Sequence, residues 1–270
     1  MARNLQLNNN GKDKRNTLFL ILGGIFITNA ILAELIGVKI FSLEAILGLA
    51  PAQISLFNGF TLDFNLTAGA LIWPVVFIST DIINEYFGKQ GVRKVTLLAS
   101  VLIAYAFVVI FVVTRLAPAQ FWLDVNSVDP EGNAFDINFA FNTVFTQGMG
   151  IIIGSLTAFL LSQFLDVYIF QKLRKLTGSK YLWLRATGST LISQLLDSFL
   201  VLIIAFNIFG KWSIEQVLAV GIINYMYKFA VAIVLTPLLY AGHYLIDGYL
   251  GKEIAEQMTS DASDASNGFF

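Results

Sequence analysis

Six charged side chains sit inside runs of sequence that are otherwise apolar: Glu34, Asp81, Glu85, Asp166, Asp197 and Lys228. Each charge near a bilayer centre costs about 2.5 to 3.5 kcal/mol on insertion scales, so several uncompensated ones would cost on the order of 10 kcal/mol, comparable with a domain's stability. They must therefore face one another, or water. Asp81 and Glu85 are four apart and project from one helix face, one turn apart. Asp197 and Lys228 each fall about eleven residues into their runs, roughly 17 Å along a helix at 1.5 Å per residue, near mid-membrane. Glu34 lies in the outer third of the first run, and Asp166 in the inner third of the fourth. A short echo, Ser162-Gln163-Phe164-Leu165-Asp166 and Ser193-Gln194-Leu195-Leu196-Asp197, makes each of two helices present a hydroxyl, an amide and a carboxylate inward. With the helices antiparallel, that arrangement fits an inverted repeat around a central site.

Aromatic side chains supply the complementary chemistry. Trp73-Pro74 falls within the second run, where proline is expected to kink the helix, and Phe77 continues that face toward Asp81. A planar heterocycle can stack on Trp73 or Phe77 while Asp81, the carboxylate expected for the role, accepts its N–H donors, with Gln163 or Gln194 facing its carbonyl. Each charge but Asp81 also has a ready structural reading. Glu85 can pair with Lys89, Asp166 with Lys172, Arg174 and Lys175, Asp197 with Lys228, and Glu34 with Lys39 near an interface.

The elements that must position these groups are apolar segments at residues 17–38, 66–87, 95–116, 143–170, 186–209 and 217–246. Each is long enough, at about 20 residues per crossing, to span a bilayer. The expectation is an all-α polytopic membrane protein with six transmembrane helices in a single domain over 17–246. A polar leader at 1–16 precedes it and a disordered tail at 247–270 follows. Breaks are expected at Gly88 to Gly91, Pro118, Thr177-Gly178-Ser179 and Asn207 to Gly210. Lys and Arg set the orientation. Thirteen of the 17 fall on one side: Arg3, Lys12, Lys14, Arg15, Lys89, Arg93, Lys94, Lys172, Arg174, Lys175, Lys180, Arg185 and Lys252. The other side holds Lys39, Arg115 and Lys211. Both termini are therefore expected in the cytoplasm.

Composition excludes other classes. Of 270 residues 56% are hydrophobic and 13% charged, with a mean hydropathy of +0.72, whereas a soluble domain carries about 25% charged residues. A net charge of −1 provides no field for nucleic acid. With no cysteine and one histidine, His243, disulfides, thiolate chemistry and a histidine-ligated metal are not expected. Nor does the sequence carry a P-loop, a G-x-S-x-G elbow or an H-E-x-x-H pair, so moving a polar small molecule is favoured over making one, and no cofactor is expected.

The stretch Trp73-Pro74-Val75-Val76-Phe77-Ile78-Ser79-Thr80-Asp81-Ile82-Ile83-Asn84-Glu85-Tyr86-Phe87-Gly88-Lys89, with its T-D-x-x-x-E-x-x-G arrangement, resembles the bacterial queuosine precursor transporters, a family formerly named for vitamin uptake. The resemblance continues through Leu165 to Phe170 with Lys172 and Arg174, Ser189-Thr190, Asp197 with Ile204-Ala205-Phe206, and Tyr225, Lys228, Pro237 and Tyr240. It implies a six-helix importer of the bacterial inner membrane for 7-deazaguanines, 7-cyano- or 7-aminomethyl-7-deazaguanine, salvaged for tRNA modification. The matched positions are Asp81, Glu85, Asp166, Asp197 and Lys228. A second copy or an energising subunit is a further partner to test for. Two alternatives stay open from the residues: a vitamin-type binding subunit of an ATP-driven system, and an intramembrane aspartyl hydrolase built from Asp81, Asp166 and Asp197.

Overall fold

A computed structural model describes residues 9–37, 39–56, 60–146, 149–177, 180–208 and 212–264. The leader's first eight residues, Gly178 and Ser179 of the third expected break, Phe209 and Gly210 of the fourth, and residues 265–270 of the expected tail lie outside the described residues.

Helix α1 runs Asn9–Ile36, so the polar leader is helical from its ninth residue. Two short antiparallel pairs follow before the next long helix. β1 (Ile40–Ser42) pairs with β4 (Asn65–Thr67), and β2 (Ile54–Leu56) with β3 (Phe60–Leu62), around the one-turn helix α2 (Leu43–Ile46). The all-α expectation thus acquires a small β cap that hydropathy did not signal. Glu44 organises it. Its buried carboxylate accepts the Phe64 N–H at 2.6 Å and the Ser42 hydroxyl at 3.0 Å, and the backbone bond in particular holds it below the usual carboxylate range.

Helix α3 spans Trp73–Val113 after a 3-10 turn at Ala68–Leu71. Pro74 sits in its first turn, where its missing N–H costs nothing. The kink expected inside the second run is therefore a helix start, and residues 66–72 stand outside that helix. Gly88, at φ +65° and ψ −171°, interrupts the helical backbone. There the chain reverses: a Cβ on Gly91 would lie 3.4 Å from Ile83 Cγ2, whereas eight residues of straight helix span about 12 Å. Phe107 and Ile110 of the second arm line the same cavity as Trp73 and Phe77 of the first.

Helices α4 (Gln120–Val125) and α5 (Ile137–Thr146) lead to α6 (Met149–Thr177), α7 (Leu182–Leu202) with a π-helical turn at Ile203–Ile208, and α8 (Ile214–Leu250). Reciprocal Ser213 and Gln216 bonds cap the start of α8. Helix α9 (Lys252–Asp264) closes the described chain. The disordered tail expected there is instead helical through Asp264. Ala255, Met258 and Ala262 form a buried stripe at helical spacing, and Arg174 donates to the Thr259 carbonyl at 2.5 Å.

Four helices among the described residues are long and apolar enough to cross a membrane: Gly11–Ile36, Trp73–Val113, Leu182–Ile208 and Ile214–Leu250. The buried core joins Leu18, Phe26, Ile83, Val95, Phe170 and Leu239, among others, from α1, α3, α6 and α8. Outward faces remain apolar, with Leu20, Val101, Tyr105 and Val234 each more than three-fifths exposed. Polar groups inside and bare aliphatic surface outside describe a chain whose solvent is lipid.

Candidate functional site

The interior polar groups lie in three layers stacked along the helices. α3 sets the order: Trp73, Phe77, Asp81 and Glu85 are spaced four apart, about 6 Å of rise at each step.

The first layer surrounds a cavity of about 500 Å³. Trp73 stacks on Phe77 (5.9 Å between centroids, 19° between planes) and touches Phe159 at 5.4 Å, making an aromatic wall. Asp197 and Lys228 line the cavity and pair at 2.5 Å, with about a fifth of each side chain exposed. Glu34, also on the cavity, accepts the Ser155 hydroxyl at 2.6 Å, rather than the lysine expected for it. Asp63 and Asn65 of the β cap, Asn224 and Tyr227 of α8, and the stacked Phe206 and Trp212 complete the polar and aromatic lining.

The second layer is buried. Asp81 is 6% exposed, and its Oδ1 has no hydrogen-bond partner among the described residues. Asp166 accepts from Ser193 at 3.1 Å, with the Ser189 and Thr190 hydroxyls in bonding reach. Gln163 donates to the Thr80 hydroxyl at 3.2 Å, while Gln194 Oε1 is buried without a partner. The Ser-Gln-x-x-Asp echo becomes a reciprocal pair of contacts: Ser193 donates to Asp166, and Ser162 to Asp197 at 3.4 Å. Antiparallel packing of α6 against α7 puts each serine beside the other helix's aspartate.

The third layer is a charged floor. Arg185 donates to both oxygens of Glu85, at 2.6 and 3.2 Å, and Arg174 lies 3.6 Å from the same carboxylate. Gln171 donates to Asn84 at 2.6 Å. Beneath it, Tyr86 donates to Asp247 at 2.6 Å and meets His243 at 3.0 Å. The pairings expected for the two inner acids are corrected here. Glu85 takes arginines from α6 and α7 in place of Lys89, and Asp166 takes hydroxyls in place of the Lys172 cluster, because both lie deep in the helix packing.

Of the residues singled out in the sequence, Trp73, Phe77, Asp197 and Lys228 meet at the large cavity. Asp81 borders a separate cavity of about 30 Å³, reached past Phe77, which lines both. Gln163, Asp166 and Gln194 are packed below, and Glu85 belongs to the floor. Sequence reasoning undervalued Glu34, and it missed Asn224 on the cavity and Arg185 as an interior cation. Arg185 sits in a basic cluster that reads as a topology signal, so its depth carried no mark.

Residues 67–242 match the family described as "Putative vitamin uptake transporter". The chain is also 34% identical over 187 residues to the "Probable queuosine precursor transporter" of Bacillus subtilis (strain 168), covering 68% of this chain and 75% of that one. The chain belongs to the queuosine precursor transporter family. A second relative of this transporter, the "Queuosine precursor transporter" of Escherichia coli (strain K12), is 27% identical over 206 residues, covering 76% of this chain and 83% of its own. The Haemophilus influenzae "Probable queuosine precursor transporter" is 28% identical over 174 residues, covering 64% and 66%. No solved structure matches the transporter. It is a multi-pass membrane protein that acts by transport and not as an enzyme.

Proposed function

We propose that this protein imports queuosine precursors, 7-cyano- or 7-aminomethyl-7-deazaguanine, across the bacterial inner membrane for tRNA queuosine salvage. The chain crosses six times, with both termini cytoplasmic. The printed names of three relatives support the substrate class, and the Lys and Arg asymmetry supports the orientation. The reversal of α3 at Gly88 supports counting its 41 residues as two crossings. With the first terminus inside, the β cap and the large cavity fall on the outer side and the Glu85 floor on the cytoplasmic side.

The observation that carries the reading is the large cavity. Its volume of about 500 Å³ lies in the range of small-molecule sites, and its lining matches a guanine-like edge. The ring stacks on Trp73, Phe77 or Phe159. Glu34, engaged by one hydroxyl among the described residues, accepts N1–H and the exocyclic amine side by side. The Lys228 ammonium has three donors and gives one to Asp197, leaving others for the ring carbonyl.

Radiolabelled 7-cyano-7-deazaguanine supplied to cells lacking their own synthesis tests the proposal. Uptake that depends on this gene is expected, and uptake equal to that of cells without it would refute import. Proteoliposomes containing this chain alone are expected to exchange labelled for unlabelled substrate. Inert vesicles beside active cells would call for an energising subunit.

A further inference from the structure

Asp81 lies below the substrate cavity and shares with Phe77, Thr187, Thr190 and Thr236 the small cavity of about 30 Å³. That space holds about one water and no heterocycle. The charged groups acting on Asp81 are Asp166 from α6, Glu85 from one turn below on α3, and Arg185 from α7. α8 offers the cavity only Thr236 and aliphatic carbon. Two of the three acids are provided for: Glu85 holds Arg185 through both oxygens, and Asp166 accepts the Ser193 hydroxyl with those of Ser189 and Thr190 in reach. Asp81 has an oxygen with no donor among the described residues. Ionised, it would be an uncompensated buried charge beside a second carboxylate, at a cost of several kcal/mol. A cation must sit there. A hard metal ion takes about six oxygen ligands, and apart from Asp81 and three threonines this cavity is lined by carbon. A proton needs one oxygen.

Resting on the importer reading, we infer that Asp81 is the proton-carrying residue of a proton-coupled transport cycle. The O–H bond at Asp81 forms with a proton from the outer side while the Glu85 floor is closed. When the floor opens, Arg185 parts from Glu85 and becomes the nearest cation to Asp81, the O–H bond breaks, and the proton passes to cytoplasmic water. Nothing is oxidised or reduced. Substrate and proton occupy neighbouring cavities divided by Phe77, so one rearrangement of α3 against α7 releases both.

The test uses the full chain in proteoliposomes with labelled 7-cyano-7-deazaguanine and an entrapped pH-sensitive dye. With the outside acidic, the wild type is expected to accumulate substrate and to acidify the lumen when substrate is added, and a protonophore abolishes both. Asp81→Asn, which imitates the protonated acid, is expected to keep substrate exchange and lose gradient-driven accumulation. Wild-type exchange without any response to the pH gradient overturns the inference, as does accumulation driven by sodium alone. Asp81→Asn accumulating like the wild type also overturns it. Loss of exchange in both Asp81→Asn and Asp81→Glu, in protein of unchanged thermal stability, assigns Asp81 to substrate recognition and overturns it too. Absence of exchange in the wild type refutes the importer reading itself.

Discussion

Glu34 is a carboxylate on the large cavity with one hydrogen bond among the described residues. Ser155 supplies its hydrogen bond, while Asp197 is committed to Lys228. Losing a charged hydrogen-bonding partner costs about 1.5 to 3 kcal/mol. Glu34→Gln is therefore expected to weaken 7-deazaguanine binding roughly ten- to a hundredfold while leaving insertion unchanged. Calorimetric titration of the detergent-purified variant checks this, and wild-type affinity would remove Glu34 from recognition. Individual charges were legible in the sequence because hydrocarbon penalises them, and all six proved interior or cavity-lining. Their partners were not legible. Glu34 stood a turn from Lys39 in sequence, yet it bonds a serine 121 residues away. Arg185, 2% exposed, looks in sequence like any cytoplasmic lysine or arginine.

The helices were read well where apolar length alone defines them and poorly where short polar patterns do. The reversal of α3 was marked by Gly88. The β cap was not, because three-residue strands have too little periodicity to register, and α9 was hidden by a Ser, Asp and Ala composition that reads as tail. Gly88 combines positive φ with crowding: a Cβ would stand 3.0 Å from the Ala262 carbonyl oxygen. Gly88→Ala is expected to destabilise the protein by about 1 to 3 kcal/mol and to loosen α9, seen as a lower melting temperature in detergent and faster proteolysis after Leu250. The β cap has its own pH dependence. Glu44 titrates below its ordinary 4.5 when the cap is formed, so its contribution is fully present above pH 4.5 and is lost as pH falls through the depressed folded value. Amide protection factors across residues 40–67, which divide out the intrinsic pH dependence of exchange, are expected to fall below that range, and factors unchanged between pH 6 and pH 3 (about three units, spanning the transition) would remove Glu44 as its organiser.

The three polar layers form a column, open in the first layer and closed by the Glu85 and Arg185 floor in the third, so the large cavity stands on the β-cap side. The six-crossing arrangement can be tested cleanly because the chain has no cysteine. Asp129→Cys is expected to react with an impermeant maleimide in intact cells, and Ser260→Cys only after permeabilisation. The reverse pattern would invert the topology. The turn at Gly88 also bears on how such a chain enters the bilayer. With a single residue joining its two arms, α3 offers no loop in which one arm could wait while the other is made. On the proposed topology its arms leave the insertion machinery as a preformed hairpin, and Lys89, Arg93 and Lys94 immediately beyond the turn are placed to stop its tip from being drawn across.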